Sequence, residues 1–198
     1  MSGCTLCPRM CGADREHGAL GFCGMPAEIY AARAALHFWE EPPISGERGS
    51  GAVFFSGCSL GCGFCQNTEI SQGKFGKAIS TQRLREIFGE LMDQGAHNIN
   101  LVTPTHFLPQ ILPALEPKLP VPVVYNCGGY ERVETLRMLE GKVDIYLPDL
   151  KFAEPELAKQ LCSAADYFPV AARAIDEMLR QVGRPVYGED GMLKKGVI

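Results

Sequence analysis

Short apolar runs that alternate with helical patterns constrain the fold of this chain more than any other feature. The runs begin near residues 52, 98, 121 and 143. Helical periodicity appears at 84–92, 107–115, 131–140, 156–161 and 171–181. Such alternation favours a parallel sheet with right-handed crossovers, so the sequence predicts an α/β fold. Ser80 or Thr81 is available to cap the first helix, whereas Pro109 and Pro113 oppose the second.

Two segments are predicted from the order of these patterns. Residues 1–46 form a cysteine-rich N-terminal segment, which includes an apolar stretch typical of an extended ribbon at 28–39. Residues 47–198 form the main α/β unit, and 46% hydrophobic residues suffice for one core. Residues 191–198 resemble the start of a fifth strand. We therefore interpret the sequence as a fragment that ends after about four βα units.

Charge and hydropathy argue against two kinds of partner. The net charge of −4 and the pI near 5.6 give no electrostatic reason to expect nucleic-acid binding. No apolar run approaches the roughly 20 residues that span a bilayer, and the N-terminus carries no charged-then-apolar leader. We expect a cytoplasmic protein without a membrane or nucleic-acid partner.

Nine cysteines are present, and seven of them fall into two groups. The first group is Cys4, Cys7, Cys11 and Cys23, and the second is Cys58, Cys62 and Cys65. An odd count, the absence of an export signal and the length of the chain argue against a disulfide framework. Clustered thiols in a reducing compartment favour metal binding.

The second group has the spacing C-x3-C-x2-C and directly follows the first strand. Three glycines between residues 57 and 63 allow the tight curl that one cluster would need. A four-iron cubane takes four thiolates, and this loop supplies three, which leaves one iron with an exchangeable position. Half of a structural zinc site, or buried thiols, are the alternative interpretations.

Residues 57–65 resemble the cluster loop of the radical S-adenosylmethionine (SAM) superfamily. Four further segments resemble the branch with pyruvate formate-lyase activating enzymes and AmmeMemoRadiSam-type proteins, namely 40–46, 66–71, 125–131 and 144–152. The likeness spans nearly the whole chain. It implies a partial (β/α)6 barrel, truncated after about four βα units, with a cysteine-rich N-terminal extension.

The resemblance also implies a cofactor and a reaction. Cys58, Cys62 and Cys65 would bind a [4Fe-4S] cluster, whose fourth iron SAM chelates through its amino and carboxylate groups. One electron from flavodoxin or ferredoxin then cleaves SAM to methionine and a 5′-deoxyadenosyl radical, which abstracts a hydrogen atom from the substrate. In activating enzymes this substrate is a backbone glycine of a partner protein. The implied activity is a radical SAM oxidoreductase that acts on a glycyl radical enzyme or, as the alternative, on a small molecule or another protein.

The cofactor-binding residues implied for this chain begin with Phe64, at the aromatic position near the adenine. Many relatives bind the SAM amino group with a Gly-Gly-Glu stretch that this sequence lacks. Thr103 and Thr105, at the end of the second strand, would take over that contact. His106 beside them is either a helix-start residue or a proton carrier, and the sequence assigns no catalytic residue.

Three more positions at strand ends are predicted to face bound SAM or substrate. Asn126 follows the third strand, and Asp149 with Lys151 follows the fourth. The alternative for Asn126 is a turn residue before two glycines. The alternative for the charged residues is a structural ion pair.

The N-terminal cysteines are predicted to form a second metal site. Cys4, Cys7, Cys11 and Cys23 would close a four-thiolate site for zinc or an iron–sulfur cluster, and a structural role is favoured over an electron relay. Cys127 and Cys162 are core thiols by default. A competing hypothesis is a zinc- or cluster-binding scaffold protein without turnover.

Overall fold

Five parallel strands form the centre of the fold in the computed structural model, which describes residues 3–73 and 75–198. The strands are β1 (Ile29–His37), β2 (Ser50–Phe55), β3 (Lys77–Ile79), β4 (Ile99–Val102), β5 (Val123–Cys127), β6 (Ile145–Pro148), β7 (Val186–Tyr187) and β8 (Leu193–Val197). Their order in the sheet is β3-β1-β2-β4-β5-β6-β8-β7. The strands from β2 to β8 in that order pair in parallel, whereas β1, β3 and β7 are antiparallel additions. The predicted α/β class is confirmed, as a mixed sheet of eight strands.

Helices follow the parallel strands as the sequence predicts. They are α1 (Pro42–Ser45), α2 (Thr68–Ser71), α3 (Thr81–Asp93), α4 (Leu108–Ile111), α5 (Val133–Leu136), α6 (Pro155–Cys162) and α7 (Tyr167–Val182). Ser80 caps α3, because its hydroxyl accepts a hydrogen bond from the N–H of Arg83 at 3.0 Å. No helix among residues 3–73 and 75–198 is both long and apolar enough to cross a membrane.

Alternating residues give the sheet two different faces. On the helix-covered face, Val53, Leu101 and Tyr125 are buried in the main core with the apolar residues of α3 and α7. The opposite, open face carries Asn100, Val102, Val124, Asn126 and Ile145. Val124 and Ile145 pack with Ile44 of α1 in a small cluster of their own. α1 therefore covers part of the open face.

Several elements differ from their predicted form. The helix predicted at 107–115 is divided into 3-10 turns at Thr105–Phe107 and Leu112–Leu115 on either side of α4, because two prolines interrupt its hydrogen bonding. The sequence predicts only the start of a strand at 191–198, whereas β8 is a formed strand that pairs with β6. The two-residue strand β7 and the mostly exposed β3 carry too short a pattern for prediction.

The cysteine-rich N-terminus is present and largely irregular up to β1. β1 lies within the segment predicted for residues 1–46 and pairs with β2 of the main unit. The boundary between residues 46 and 47 stays a prediction.

Candidate iron–sulfur and ligand site

The three central cysteines lie on a tightly folded segment, residues 57–67, which we call the thiol loop. Gly57 and Gly61 adopt φ angles of 81° and 63°, which favour glycine. A Cβ atom on Gly57 would also lie 2.6 Å from the backbone oxygen of Cys23. The predicted role of these glycines in a close backbone turn is therefore visible at Gly57, where the N-terminal segment packs directly against the loop.

A cavity of about 620 Å³ brings the three thiols together with residues from several strand ends. Cys58, Cys62 and Cys65 all line it. Thr103 directly follows β4, and Asn126 lies near the end of β5. Both residues line the same cavity. Its volume lies within the roughly 300–1,000 Å³ that is typical of small-molecule sites. The loop thus opens onto a space at the carboxyl edge of the parallel strands.

The thiols have local hydrogen-bond donors and a buried setting. The N–H of Leu60 lies 3.4 Å from Cys58 Sγ, and the hydroxyl of Ser71 lies 3.3 Å from Cys65 Sγ. Burial raises the pKa of Cys58, and burial with the neighbouring Cys162 raises the pKa of Cys62 to about 12. Metal binding at this loop would therefore release protons from the thiols.

Within the part of the chain that the structure describes, no three His, Cys, Asp or Glu side chains are arranged to hold one metal ion. A tetrahedral zinc site gathers its ligands around a single ion. A cubane cluster instead binds its cysteine thiolates on different irons. The structure places the three thiols around one cavity, and Cys58, Cys62 and Cys65 are the residues that would hold a cluster there.

The structure places Phe64 and Thr103 at the cavity. The Phe64 ring is 52% exposed and meets the ring of Phe152 edge to face, with centroids 5.8 Å apart. Thr103 adopts a φ of 57°, a conformation that is uncommon for a β-branched residue. Its N–H donates to the Asn126 backbone oxygen at 2.8 Å, which holds this conformation in place.

Thr105 lies elsewhere, although the sequence groups it with Thr103. Its side chain is buried, and its hydroxyl lies 2.9 Å from the Tyr125 hydroxyl and 2.7 Å from Glu131 Oε1. Burial raises the pKa of Glu131 to about 7. This polar group is enclosed in the core, and sequence reasoning missed Glu131 because nothing in its pattern marks a buried carboxyl.

Asn126, Asp149 and Lys151 line the cavity together. Lys151 Nζ lies 2.5 Å from Asp149 Oδ2, so these two residues form an ion pair at the cavity wall. Asn126 donates through Nδ2 to Glu40 Oε1 at 3.3 Å. Glu40 also lines the cavity and was not predicted as a site residue, although it lies in the segment 40–46 that the sequence analysis singled out.

His106 lies behind the thiol loop. The ring is buried, and its Nε2 atom is 2.7 Å from the backbone oxygen of Ser56, two residues before Cys58. Burial lowers the pKa of His106 to about 4. A neutral ring donates through Nε2 to this oxygen, and so His106 supports the strand that leads into the loop.

The N-terminal cysteines approach one another around a buried arginine. Arg15 Nη1 lies 3.6 Å from Cys4 Sγ, and its guanidinium also donates to the backbone oxygens of Met25 and His106. The sulfurs of Cys11 and Cys23 lie 3.5 and 3.2 Å from the position of a Cβ on Gly21. A buried guanidinium beside thiols would suit negatively charged thiolates.

Arg9 connects the N-terminal segment to the thiol loop. Its guanidinium donates to the backbone oxygens of Ser59 at 2.8 Å and Leu60 at 3.4 Å. It also donates to the backbone oxygens of Cys162 at 2.7 Å and Ser163 at 2.5 Å, at the C-terminal end of α6. Arg9 lies between Cys7 and Cys11 in the sequence. Its hydrogen bonds therefore connect the segment of the first cysteine group to the thiol loop of the second.

Cys127 and Cys162 differ in their relation to the cavity. Cys127 is 2% exposed but belongs to the cavity lining. Cys162 is also buried, and its thiol donates to the backbone oxygen of Ala158 within α6 at 3.0 Å. Cys162 therefore matches the expected core thiol, whereas Cys127 borders the site.

Comparisons with known proteins agree with an iron–sulfur site. Residues 44–109, which include the thiol loop, match the family described as 4Fe-4S single cluster domain. The chain is also similar to the uncharacterized protein MJ0674 of Methanocaldococcus jannaschii, with 34% identity over 180 residues that cover 86% of this chain and 52% of that protein. The chain thus spans about half the length of this relative. The family match supports iron–sulfur binding and a 4Fe-4S cluster, and it is compatible with a redox enzyme.

Proposed function

We propose that this chain is the core of a radical SAM enzyme, an oxidoreductase that reductively cleaves SAM to start hydrogen abstraction from a substrate. The observation that carries the proposal is that Cys58, Cys62 and Cys65 line one cavity at the carboxyl edge of parallel strands. Ligands of α/β sheets bind at that edge. Five parallel strands with helices on one face support the proposal of a partial (β/α)6 barrel.

The residues around the cavity have complementary roles in this proposal. Cys58, Cys62 and Cys65 would hold a [4Fe-4S] cluster, which would pass on one electron from the reductant and offer one open coordination position. Phe64, with Phe152 at its edge, offers an aromatic wall for the adenine base. Lys151, held by Asp149, places a positive charge where a carboxylate of the ligand can bind. Thr103 and Asn126 add polar groups on the adjoining wall.

The N-terminal cysteines are proposed to form a second, structural metal site. Cys4 and Cys23 are close enough to Cys7 for their charges to act on it, and Cys11 and Cys23 both lie beside Gly21. No three of these described side chains are arranged around a single ion, and Arg15 supplies a buried positive charge beside Cys4. A metal there would fix the segment that carries Arg9 against the thiol loop. Reduction by flavodoxin or ferredoxin, and a protein substrate such as a glycyl radical enzyme, are parts of the same proposal.

One anaerobic assay tests the activity. The reconstituted protein is incubated with SAM and dithionite, and 5′-deoxyadenosine is measured by chromatography. We expect product from the wild type and none from Cys58→Ser. Met138→Ser is the control, because this exposed side chain lies outside the cavity lining and its change should leave turnover unchanged. A wild type with a full cluster and no 5′-deoxyadenosine would contradict the proposal.

A scaffold protein without turnover is the second candidate function, and the position of Cys127 is the observation that favours it. Cys127 borders the cavity and would close the cluster if its thiol bound the fourth iron. Electron paramagnetic resonance of the reduced cluster distinguishes the two cases. With an open iron, SAM changes the spectrum of the wild type and of Cys127→Ser alike. With a closed cluster, SAM has no effect on the wild type.

A further inference from the structure

Glu40 lines the wall of the cavity, and it precedes all five parallel strands in the chain. Glu40 follows β1, where its backbone N–H donates to Ser45 Oγ at 2.9 Å. Its side chain is half-buried and lines the same cavity as the three thiols. The main chain at Glu40 is therefore anchored, and the carboxylate has a defined position.

Two asparagines of the open face aim their amide groups at this carboxylate. Asn100 Nδ2 donates to Glu40 Oε1 at 3.1 Å, and Asn126 Nδ2 donates to the same oxygen at 3.3 Å. Asn100 is completely buried, and its Oδ1 atom has no hydrogen-bond partner among the described residues. Buried polar atoms without a partner are rare in folded proteins. The side chain of Asn100 is therefore oriented so that its amide donates to Glu40, while its own Oδ1 atom stays unpaired.

Glu40 forms no ion pair among the described residues, although Arg33 and His37 line the same cavity. Within residues 3–73 and 75–198, no lysine, arginine or histidine forms an ion pair with it. Lys151, a lysine of the same cavity wall, is held by Asp149. Both asparagines donate to Oε1, and no hydrogen bond from a described residue reaches Oε2. A half-buried carboxylate with an unused oxygen suits a ligand that brings N–H donors.

We infer that Glu40 binds an amino group of the ligand, and that with SAM this is the amino group of its methionine part. The inference rests on the proposed function and adds a recognition residue to it. An amino group carries several N–H donors, so one can bind Oε2 while the asparagines hold Oε1. Glu40 comes from the N-terminal ribbon and reaches the cavity from outside the parallel strands.

The test uses three probes and two matched variants of the reconstituted protein. S-adenosylmethionine and S-adenosylhomocysteine both carry the amino group, whereas 5′-methylthioadenosine lacks it. Affinities are measured by anaerobic calorimetry for the wild type, Glu40→Gln and Glu41→Gln. We expect Glu40→Gln to weaken the first two probes by roughly 10- to 100-fold, the range for a hydrogen bond to a charged group. Its affinity for 5′-methylthioadenosine should not change, and Glu41→Gln, an exposed neighbour, should match the wild type throughout.

The outcomes separate this inference from the proposed function. Equal SAM affinity in the wild type and Glu40→Gln overturns the inference alone, as does an equal loss for all three probes. A wild type that carries its cluster and binds no SAM overturns both. If Glu40→Gln fails to fold, Glu40→Asp replaces it. The shorter carboxylate should weaken both amino-bearing probes and leave 5′-methylthioadenosine unchanged.

Discussion

The hydroxyl of Tyr167 holds two strand-end loops together at the cavity. It lies 2.9 Å from each of three backbone atoms, the nitrogen of Lys151 and the oxygens of Gly128 and Asp149. The hydroxyl accepts from the Lys151 N–H and donates to one oxygen at a time, since it carries a single hydrogen. Tyr167→Phe keeps the fully buried ring and removes only these bonds.

The expected cost follows from the Lys151 N–H, which loses its acceptor. A partly buried donor without a partner costs about 1–3 kcal/mol. For a chain of this size, about 2 kcal/mol corresponds to a fall in melting temperature of roughly 4–8 °C. Urea unfolding and calorimetry would measure both quantities. Tyr187→Phe is the control, because Tyr187 is 55% exposed on β7 and its change should stay within about 0.5 kcal/mol. Equal stability of the two variants would refute the assignment of these hydrogen bonds.

Four further substitutions test other contacts. Gly57→Ala should destabilise by more than about 2 kcal/mol in urea unfolding, since its Cβ would lie 2.6 Å from the Cys23 oxygen. Gly61→Ala meets open space, so only its φ of 63° opposes it and a smaller loss is expected. The pKa of Glu131 is about 7 in the folded protein and 4.5 in the unfolded chain, so between these pH values the folded state retains a proton that the unfolded chain has lost. The free energy of unfolding should therefore fall by about 3 kcal/mol as the pH rises from 4.5 to 7. Glu131→Gln should remove this decline, and an unchanged pH profile would contradict the burial of the carboxyl. Arg9→Met should speed cluster loss to a chelator, and wild-type kinetics would show that its contacts do not support the loop.

The sequence predicted the parallel strands well because each forms a local apolar run. β2, β4, β5 and β6 lie within a few residues of their predicted positions. α3 was also predictable, since its buried residues repeat at the spacing of one helix face and Ser80 provides the cap. These features depend on neighbours in the sequence.

The predictions for the site were less complete because its contacts join distant residues. Glu40 meets Asn100 and Asn126, which are 60 and 86 positions away, so the segment 40–46 alone could not reveal these contacts. Thr103 and Thr105 look equivalent in sequence, but a left-handed φ at Thr103 and a 3-10 turn at Thr105–Phe107 send them in different directions. Thr103 faces the cavity, whereas Thr105 faces the core.

Backbone strain in this protein concentrates near the thiol loop. Among the described residues, three non-glycine residues have a positive φ, namely Met10, Thr103 and Ser163. Met10 follows Arg9 in the chain, and Ser163 supplies one of the oxygens that Arg9 binds. Thr103 lines the cavity itself. Each such conformation costs about 1–3 kcal/mol and persists only where the surrounding contacts enforce it.

Unpaired buried polar atoms are found in the same region. In the described part of the chain, two buried side-chain atoms lack a hydrogen-bond partner, Asn100 Oδ1 and His106 Nδ1. Asn100 orients Glu40 at the cavity, and His106 holds the oxygen of Ser56 just before the thiol loop. Packing alone would favour apolar residues at both positions, because an unpaired buried atom destabilises the fold. Their placement beside the cavity, together with the strained residues, indicates that the geometry of this site and not the stability of the sheet determines these residues.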